Sequence, residues 1–202
     1  SGETMLISVA TNGAPGNRAS YNPVMTPDGR YVAFTSEANN LVAKDTNGVP
    51  DIFLRDLQTG DTTLISVNIQ PPANLYTYLG ADFAQVTPDG SRIAFLARVK
   101  SRSYGTIASS INVRDRGAGT TIWASTGAKS ALALTGSADP VCLDPVISED
   151  GAYVAYKARS SISVSYPVFV LRYGVQNGTT DLLHNNALVP FAFNEEDETL
   201  SI

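Results

Sequence analysis

Polar turns and short apolar runs alternate along this chain in a pattern that occurs three times. Each turn ends in Asp-Gly, and the five residues after it are mostly apolar. Gly29, Gly90 and Gly151 close the three turns and lie 61 residues apart, which indicates an array of equivalent units. The turns and their apolar runs are 26–29 with 30–34, 87–90 with 91–95, and 148–151 with 152–156.

A second series of glycines has nearly the same period. Gly2, Gly60, Gly119 and Gly178 are 58 or 59 residues apart, and each precedes a strand candidate that contains threonine. Two independent series that share one period argue against chance similarity. We therefore treat the chain as a repeat protein.

The turn chemistry predicts that the strands on either side of each turn form a hairpin. Proline presets φ at about −65° in the second turn position, and glycine accepts the positive φ that closes a tight turn. In the first apolar run, Val32 and Phe34 face one side while Tyr31 and Ala33 face the other. Because both faces are apolar, we expect this strand to lie between packed layers.

Each unit contains four strand candidates, which we label A to D, and no helical periodicity. Four short strands joined as a meander are typical of one blade of a β-propeller. The predicted strands are A at 23–25, 84–86 and 145–147; B at 30–34, 91–95 and 152–156; C at 51–57, 111–115 and 168–172; and D at 62–67, 120–124 and 179–184.

The predicted fold class is all-β: about three complete four-stranded blades plus partial blades at both ends, in an open or incomplete ring. All of 1–202 forms one propeller segment in this interpretation. Uncovered blade faces favour association, so we expect a protein partner or self-association to complete the propeller. The predicted pieces are 1–9 as strand D of a preceding blade, 21–67, 82–124 and 143–184 as blades 1 to 3, and 190–202 as the start of a further blade.

Several of these segments together resemble a known repeat. The run 26–34 (TPDGRYVAF), followed by 51–56 (DIFLRD) and Thr59-Gly60, resembles the WD40-like PD40 repeat of TolB-like β-propellers. The third unit departs from it, since Glu149 replaces the turn proline. The resemblance implies a bacterial, non-catalytic binding or scaffold module that recognises a protein or cell-envelope component in the periplasm.

Composition narrows the classes of partner. The chain has 202 residues, 43% of them hydrophobic, and no apolar run approaches the roughly 20 residues of a membrane helix, which argues against membrane insertion. The formal net charge of −5 opposes binding to nucleic acid. Abundant Ser, Thr and Asn with few Lys fits a periplasmic or secreted protein.

Long connections before strands A and C mark one rim of the predicted propeller as the place for a ligand. Function tends to lie on long loops that a rigid scaffold holds. The residues just before each strand A would surround the mouth of the central channel, and we predict that they contact a ligand; the alternative is that they satisfy local backbone groups. These residues are Tyr21, Asn22, Asp82, Phe83 and Asp144.

The segment 45–51 (DTNGVPD) is a candidate cation site. Asp45, Asn47 and Asp51 place oxygen donors at alternating positions around a glycine, as calcium sites do. The segment is shorter than an EF-hand loop and has no counterpart in the other units, so an Asx-rich turn is the alternative. No other cofactor is expected.

Catalytic residues are scarce in the sequence. His184 is the single histidine and Cys142 the single cysteine, and Cys142 has no basic neighbour that would activate its thiol, so we expect it to be buried. We therefore predict that the chain is not an enzyme. The alternatives are a propeller domain of a hydrolase or polysaccharide lyase whose catalytic residues lie elsewhere, and a truncated orphan fragment without independent activity.

Overall fold

A computed structural model describes residues 2–43, 45–69, 76–102, 107–133, 139–161 and 168–184. Within these ranges the chain forms twelve strands and one four-residue helix, and no helix is long and apolar enough to cross a membrane. The elements are β1 (Ser20–Met25), β2 (Tyr31–Ser36), β3 (Asp51–Asp56), β4 (Asp61–Leu64), β5 (Tyr76–Val86), β6 (Arg92–Ser101), β7 (Ile107–Asp115), β8 (Thr120–Trp123), α1 (Ala128–Ala131), β9 (Pro140–Ile147), β10 (Tyr153–Ser160), β11 (Phe169–Gly174) and β12 (Thr180–His184).

The twelve strands form three four-stranded blades of a β-propeller. Blade 1 is β1 to β4, blade 2 is β5 to β8 and blade 3 is β9 to β12, and every pairing within a blade is antiparallel between consecutive strands. Blades 2 and 3 are also joined by one parallel pairing of Ser109 in β7 with Val141 in β9. The all-β propeller prediction is confirmed.

A small hydrogen-bond network builds each A-to-B turn. In blade 1, the Thr26 hydroxyl donates to Asp28 at 2.6 Å and accepts the Tyr31 backbone N–H at 3.0 Å, while Asp28 also accepts the Arg30 backbone N–H at 3.0 Å. Blade 2 repeats this network from Thr87, and blade 3 from Ser148. Serine can replace threonine because the network needs only the hydroxyl.

The second strand of each blade contributes buried apolar residues to the core. All six residues of β2 are buried, as expected for a strand with two apolar faces. One apolar cluster lies between blades 1 and 2, around Ile52, Ile93 and Phe95, and another between blades 2 and 3, around Ile111 and Tyr156. Packing between blades therefore forms two of the three apolar clusters within the described residues.

Neighbouring blades touch closely at the turn glycines. A Cβ added to Gly90 would lie 2.4 Å from the ring of Tyr31 in blade 1, and one added to Gly151 would lie 2.9 Å from Arg92 in blade 2. Tyr31 cannot easily move away, because the guanidinium groups of Arg30 and Arg116 lie 4.7 and 4.9 Å from its ring centroid. Glycine is required here by space as well as by its positive φ.

The structure corrects two details of the predicted elements. The strand predicted within 1–9, at 4–9, is absent, and this segment makes only one isolated bridge, between Val9 and Pro15, while Val9 and Thr11 bond to Thr62 of β4. The strands β5, β6, β7 and β9 are longer than predicted, because they extend into the connections that flank the predicted strands at 84–86, 91–95, 111–115 and 145–147, and α1 also lies in a predicted connection. The predicted strands at 190–202 lie outside the described residues.

The two turn glycines Gly29 and Gly90 offer a matched test of blade packing. Both have a positive φ, of 73° and 69°, but only Gly90 lies against another blade. We expect Gly29→Ala to lower the free energy of unfolding by about 1 to 2 kcal/mol through backbone strain. Gly90→Ala adds overpacking against Tyr31, so its loss should be larger by about 1 to 3 kcal/mol. Urea unfolding followed by circular dichroism measures both; equal losses would contradict the close blade contact.

An ion pair ties the B and C strands of blade 1 together. The Arg30 guanidinium donates to both carboxylate oxygens of Asp56, at 3.2 and 2.8 Å. Asp56 also accepts the backbone N–H groups of Gln58 and Thr59, at 2.8 and 3.3 Å. The Arg30 hydrogen bonds, helped by these N–H groups, lower the pKa of Asp56 from 3.8 to about 2.

This pKa predicts how blade 1 responds to acid. A carboxyl group whose folded pKa lies below its unfolded pKa stabilises the fold above the unfolded pKa, and this stabilisation is lost as pH falls through the folded pKa. For Asp56 the window runs from pH 3.8 down to about 2. We expect Asp56→Asn to make the loss of stability across this window less steep than in the wild type, measured by urea unfolding at several pH values. Parallel profiles would contradict this prediction.

Candidate functional site

The A strand of each blade contains a bulge at the same repeat position. Asn22, Phe83 and Asp144 have positive φ values of 51°, 53° and 50°, and the pairing of each A strand with its B strand shifts register there. For a residue other than glycine, the left-handed region costs about 1 to 2 kcal/mol. Asn and Asp tolerate it better than Phe, so strain is greatest at Phe83.

These three bulges converge on one pocket. Its volume is about 240 Å³. Proline, valine and alanine side chains supply its apolar part, and the exposed Phe83 ring stands beside the polar groups of Asn22 and Asp144. Each blade contributes three consecutive residues: Asn22, Pro23 and Val24; Phe83, Ala84 and Gln85; and Asp144, Pro145 and Val146.

Asp82 organises the part of this site between blades 1 and 2. Its Oδ1 accepts hydrogen bonds from the Asn22 amide, the Thr35 hydroxyl and the Phe83 backbone N–H, each at 2.8 Å. The Thr35 side chain is fully buried, so this bond satisfies a hydroxyl that water does not reach. Asp82 therefore positions two of the three bulge residues and does not itself line the pocket.

Tyr21 and Asp144 have different surroundings. Tyr21 lies outside the pocket lining, and burial, followed by the charges of Asp82 and Glu37, raises the pKa of its hydroxyl. Asp144 lines the pocket and forms an ion pair with Lys157 at 3.2 Å. The structure thus brings together Asn22, Phe83 and Asp144 and leaves Tyr21 beside them.

Asp51, from the predicted cation segment, is fully buried at the junction of blades 1 and 2. It accepts hydrogen bonds from Asn47 at 2.6 Å, from the Tyr78 hydroxyl at 2.9 Å and from the Ser66 hydroxyl. Burial raises the pKa of Asp51, and the three hydrogen bonds oppose that change. The junction also holds a cavity of about 290 Å³, lined by Asn47, Ser66, Asn68, Ile69, Tyr76, Tyr78 and Val99.

Asp45 lies near the same group. Burial, and then the charge of Asp51, raises the pKa of Asp45. Burial raises the pKa of the Tyr78 hydroxyl, and the negative charges of Asp51 and Asp45 raise it further. In the described part of the chain, no three His, Cys, Asp or Glu side chains gather as a metal site. A cation here would therefore use two carboxylates together with neutral oxygens.

The single thiol has no reactive surroundings. Cys142 is fully buried, as predicted, and burial raises its pKa to about 12. A thiol with this pKa stays protonated at neutral pH and is a poor nucleophile. The side chain of His184 lies outside the described residues.

Sequence reasoning missed two parts of these sites. Tyr78 and Ser66 contact Asp51 from 27 and 15 residues away along the chain, and no local motif signals such a contact. The apolar pocket residues Pro23, Val24, Pro145 and Val146 were assigned only to strands. Their place directly after the candidate residues in each repeat was the signal that could have found them.

Comparison with solved structures places the fold among known proteins. An oligogalacturonate lyase in complex with manganese has a TM-score of 0.53 and 14% identity, over 85% of this chain and 43% of the lyase. An Agrobacterium tumefaciens protein assigned as a TolB has a TM-score of 0.49 and 19% identity, over 83% of this chain and 50% of its own. A prolyl endopeptidase has a TM-score of 0.47 and 16% identity, over 82% of this chain and 22% of its own.

These likenesses concern the fold alone, because all the identities are below 20%. The chain spans half or less of the length of each of the three proteins. No protein-family model and no curated protein matches it. The likeness to the lyase agrees with the three blades described above.

The role of Asp82 predicts a graded loss of stability. Asp82→Ala removes the acceptor of three hydrogen bonds and leaves the buried Thr35 hydroxyl without a partner. We expect the free energy of unfolding to fall by about 1 to 3 kcal/mol, measured by urea unfolding. Asp82→Asn keeps an oxygen acceptor in place and serves as the control, with a smaller loss. An equal loss in both variants would show that the charge, not the acceptor, is what matters.

Proposed function

We propose that the chain is a non-catalytic β-propeller module that binds an extended peptide segment of a protein partner. The observation that carries this proposal is the pocket in which Asn22, Phe83 and Asp144 meet from three successive blades. The three blades hold strained backbone at the same repeat position. Strain of this kind is frequent where a fold presents side chains to a ligand.

The chemistry of the pocket suits a peptide. Phe83 is 45% exposed at the pocket, and aromatic residues are common anchors in interfaces. Asn22 and Asp144 add an amide and a carboxylate, which bind backbone N–H groups or a basic side chain. A volume of about 240 Å³ lies below the roughly 300 to 1,000 Å³ of typical small-molecule pockets, so it suits a side chain of an extended segment better than a whole small molecule.

The groups in the pocket favour binding over catalysis. Asp144 is paired with Lys157, and the other polar side chains of the lining, Asn22 and Gln85, are amides that do not exchange protons near neutral pH. General acid-base chemistry needs a titratable group poised near the working pH.

The proposal also includes an exported location, in the bacterial periplasm or outside the cell, and a protein partner or second copy that covers the outer blade faces.

Peptide display with the whole chain tests this function. Peptides selected on the wild type would be labelled, and their affinity measured by fluorescence anisotropy. We expect Phe83→Asn to weaken binding about tenfold or more, since it removes the aromatic anchor. Its stability should be unchanged or slightly higher, because asparagine occupies the equivalent bulge in blade 1 and favours a positive φ.

Ile107→Ser is the matched control. Ile107 is 62% exposed and does not line the pocket, so its loss should leave peptide affinity unchanged. Asp144→Asn should weaken chiefly those peptides that carry Lys or Arg. The proposal fails if no peptide is enriched, or if the selected peptides bind Phe83→Asn as well as they bind the wild type.

A further inference from the structure

Two carboxylates are buried together where blade 1 meets blade 2. Asp51 is fully buried and Asp45 is 7% exposed. Neither forms an ion pair within the described residues, although five other ion pairs are formed there. Buried charges are normally paired or coordinate a metal, because their transfer out of water is costly. Among the described residues, no cation therefore balances these two carboxylates.

The two carboxylates differ in how their oxygens are satisfied. Both oxygens of Asp51 accept hydrogen bonds from side chains around them. The Oδ1 atom of Asp45 is buried and has no hydrogen-bond partner among the residues that the structure describes. A buried carboxylate oxygen without a donor has the full cost of desolvation and no compensation. A ligand that supplies positive charge to this oxygen would remove that cost.

The loop around these carboxylates presents oxygen atoms. The Asn47 side-chain oxygen accepts the Val49 backbone N–H at 2.9 Å, which fixes the orientation of the amide and leaves one lone pair of that oxygen unused. The Asn47 amide nitrogen holds Asp51 in place. Gly48 has a φ of 72° and allows the chain to turn between them. Carboxylate and amide oxygens around a glycine turn are typical ligands of calcium.

We propose that Asp45 and Asp51, with oxygen atoms of the loop 45–51, hold a hard divalent cation of the calcium class at the junction of blades 1 and 2. The Oδ1 atom of Asp45 supplies the direct carboxylate contact. Asp51 supplies the second negative charge. The site is separate from the pocket of Asn22, Phe83 and Asp144 and does not depend on the function proposed for that pocket.

A cation here would strengthen the contact between two blades. Next to the site, the Pro50 carbonyl accepts the backbone N–H of Ala81 at 2.8 Å, and Gly80 packs so closely on Pro50 that an added Cβ would lie 3.0 Å from it. The Tyr78 hydroxyl of blade 2 reaches Asp51 of blade 1. Binding at the loop would hold all these contacts, so calcium should raise the melting temperature of the whole chain.

Thermal melting of the full chain in calcium and in EGTA, at equal ionic strength, tests the site. Calcium would be varied from roughly 1 μM to 10 mM, which covers most protein calcium sites. At about 100 times the Kd we expect the melting temperature to rise by roughly 5 to 10 °C. Isothermal titration calorimetry should give one site per chain.

Asp45→Asn is the decisive variant. It should lose the response to calcium, and in EGTA it should melt no lower than the wild type, because it removes a buried charge that has no partner. Asp61→Asn removes an exposed carboxylate from the same blade and should keep the full calcium response. Should Asp45→Asn fail to fold, terbium luminescence excited through tyrosine, with calcium as competitor, tests the wild type directly, since Tyr78 lies beside the site.

Three results would overturn the proposal. The first is a wild-type melting temperature that is equal in calcium and in EGTA, with no heat of binding. The second is a calcium response that Asp45→Asn retains. The third is a response that Asp61→Asn loses as completely as Asp45→Asn does.

Discussion

Blades 2 and 3 each place their turn glycine where the preceding blade leaves no room for a side chain. Gly90 lies against the ring of Tyr31, and Gly151 lies against Arg92 and Thr87. This contact requires glycine for space, while the tight A-to-B turn requires it for a positive φ. Because both demands fall on one residue, the turn fixes the hairpin within a blade and the distance to its neighbour. The rest of the blade packing depends on that distance.

The binding pocket follows from the same repetition. When successive blades keep one register, their equivalent residues lie side by side at the propeller centre. Asn22, Phe83 and Asp144 occur seven residues before the three turn glycines, so each has the same position in its blade. Asp82 connects two of these positions through hydrogen bonds that cross from blade 2 to blade 1. Three residues with equivalent backbone positions but chemically different side chains therefore form one asymmetric surface.

A second polar centre lies where blade 1 meets blade 2. Asp51 is the first residue of β3 and is held by Ser66 and Tyr78 in the interior of the blade junction. Polar groups at such a junction specify one packing only when all of them are satisfied. Within the described residues, the Oδ1 atom of Asp45 is the exception in this network. It lies in the segment 45–51, which has no counterpart in the other units.

The period, the three blades and the turns can be predicted from the amino-acid sequence, because they depend on local chemistry. Asp-Gly turns and apolar runs act within a few residues, so the predicted strand at 51–57 closely matches β3 at Asp51–Asp56. Contacts between distant residues become visible only in the folded chain. The hydrogen bonds from Asn22 to Asp82 and from Tyr78 to Asp51 form because neighbouring blades pack together. No short segment of the sequence specifies the distance between two blades. The same holds for the strand predicted at 4–9, since a strand forms only where a partner edge is available to pair with it.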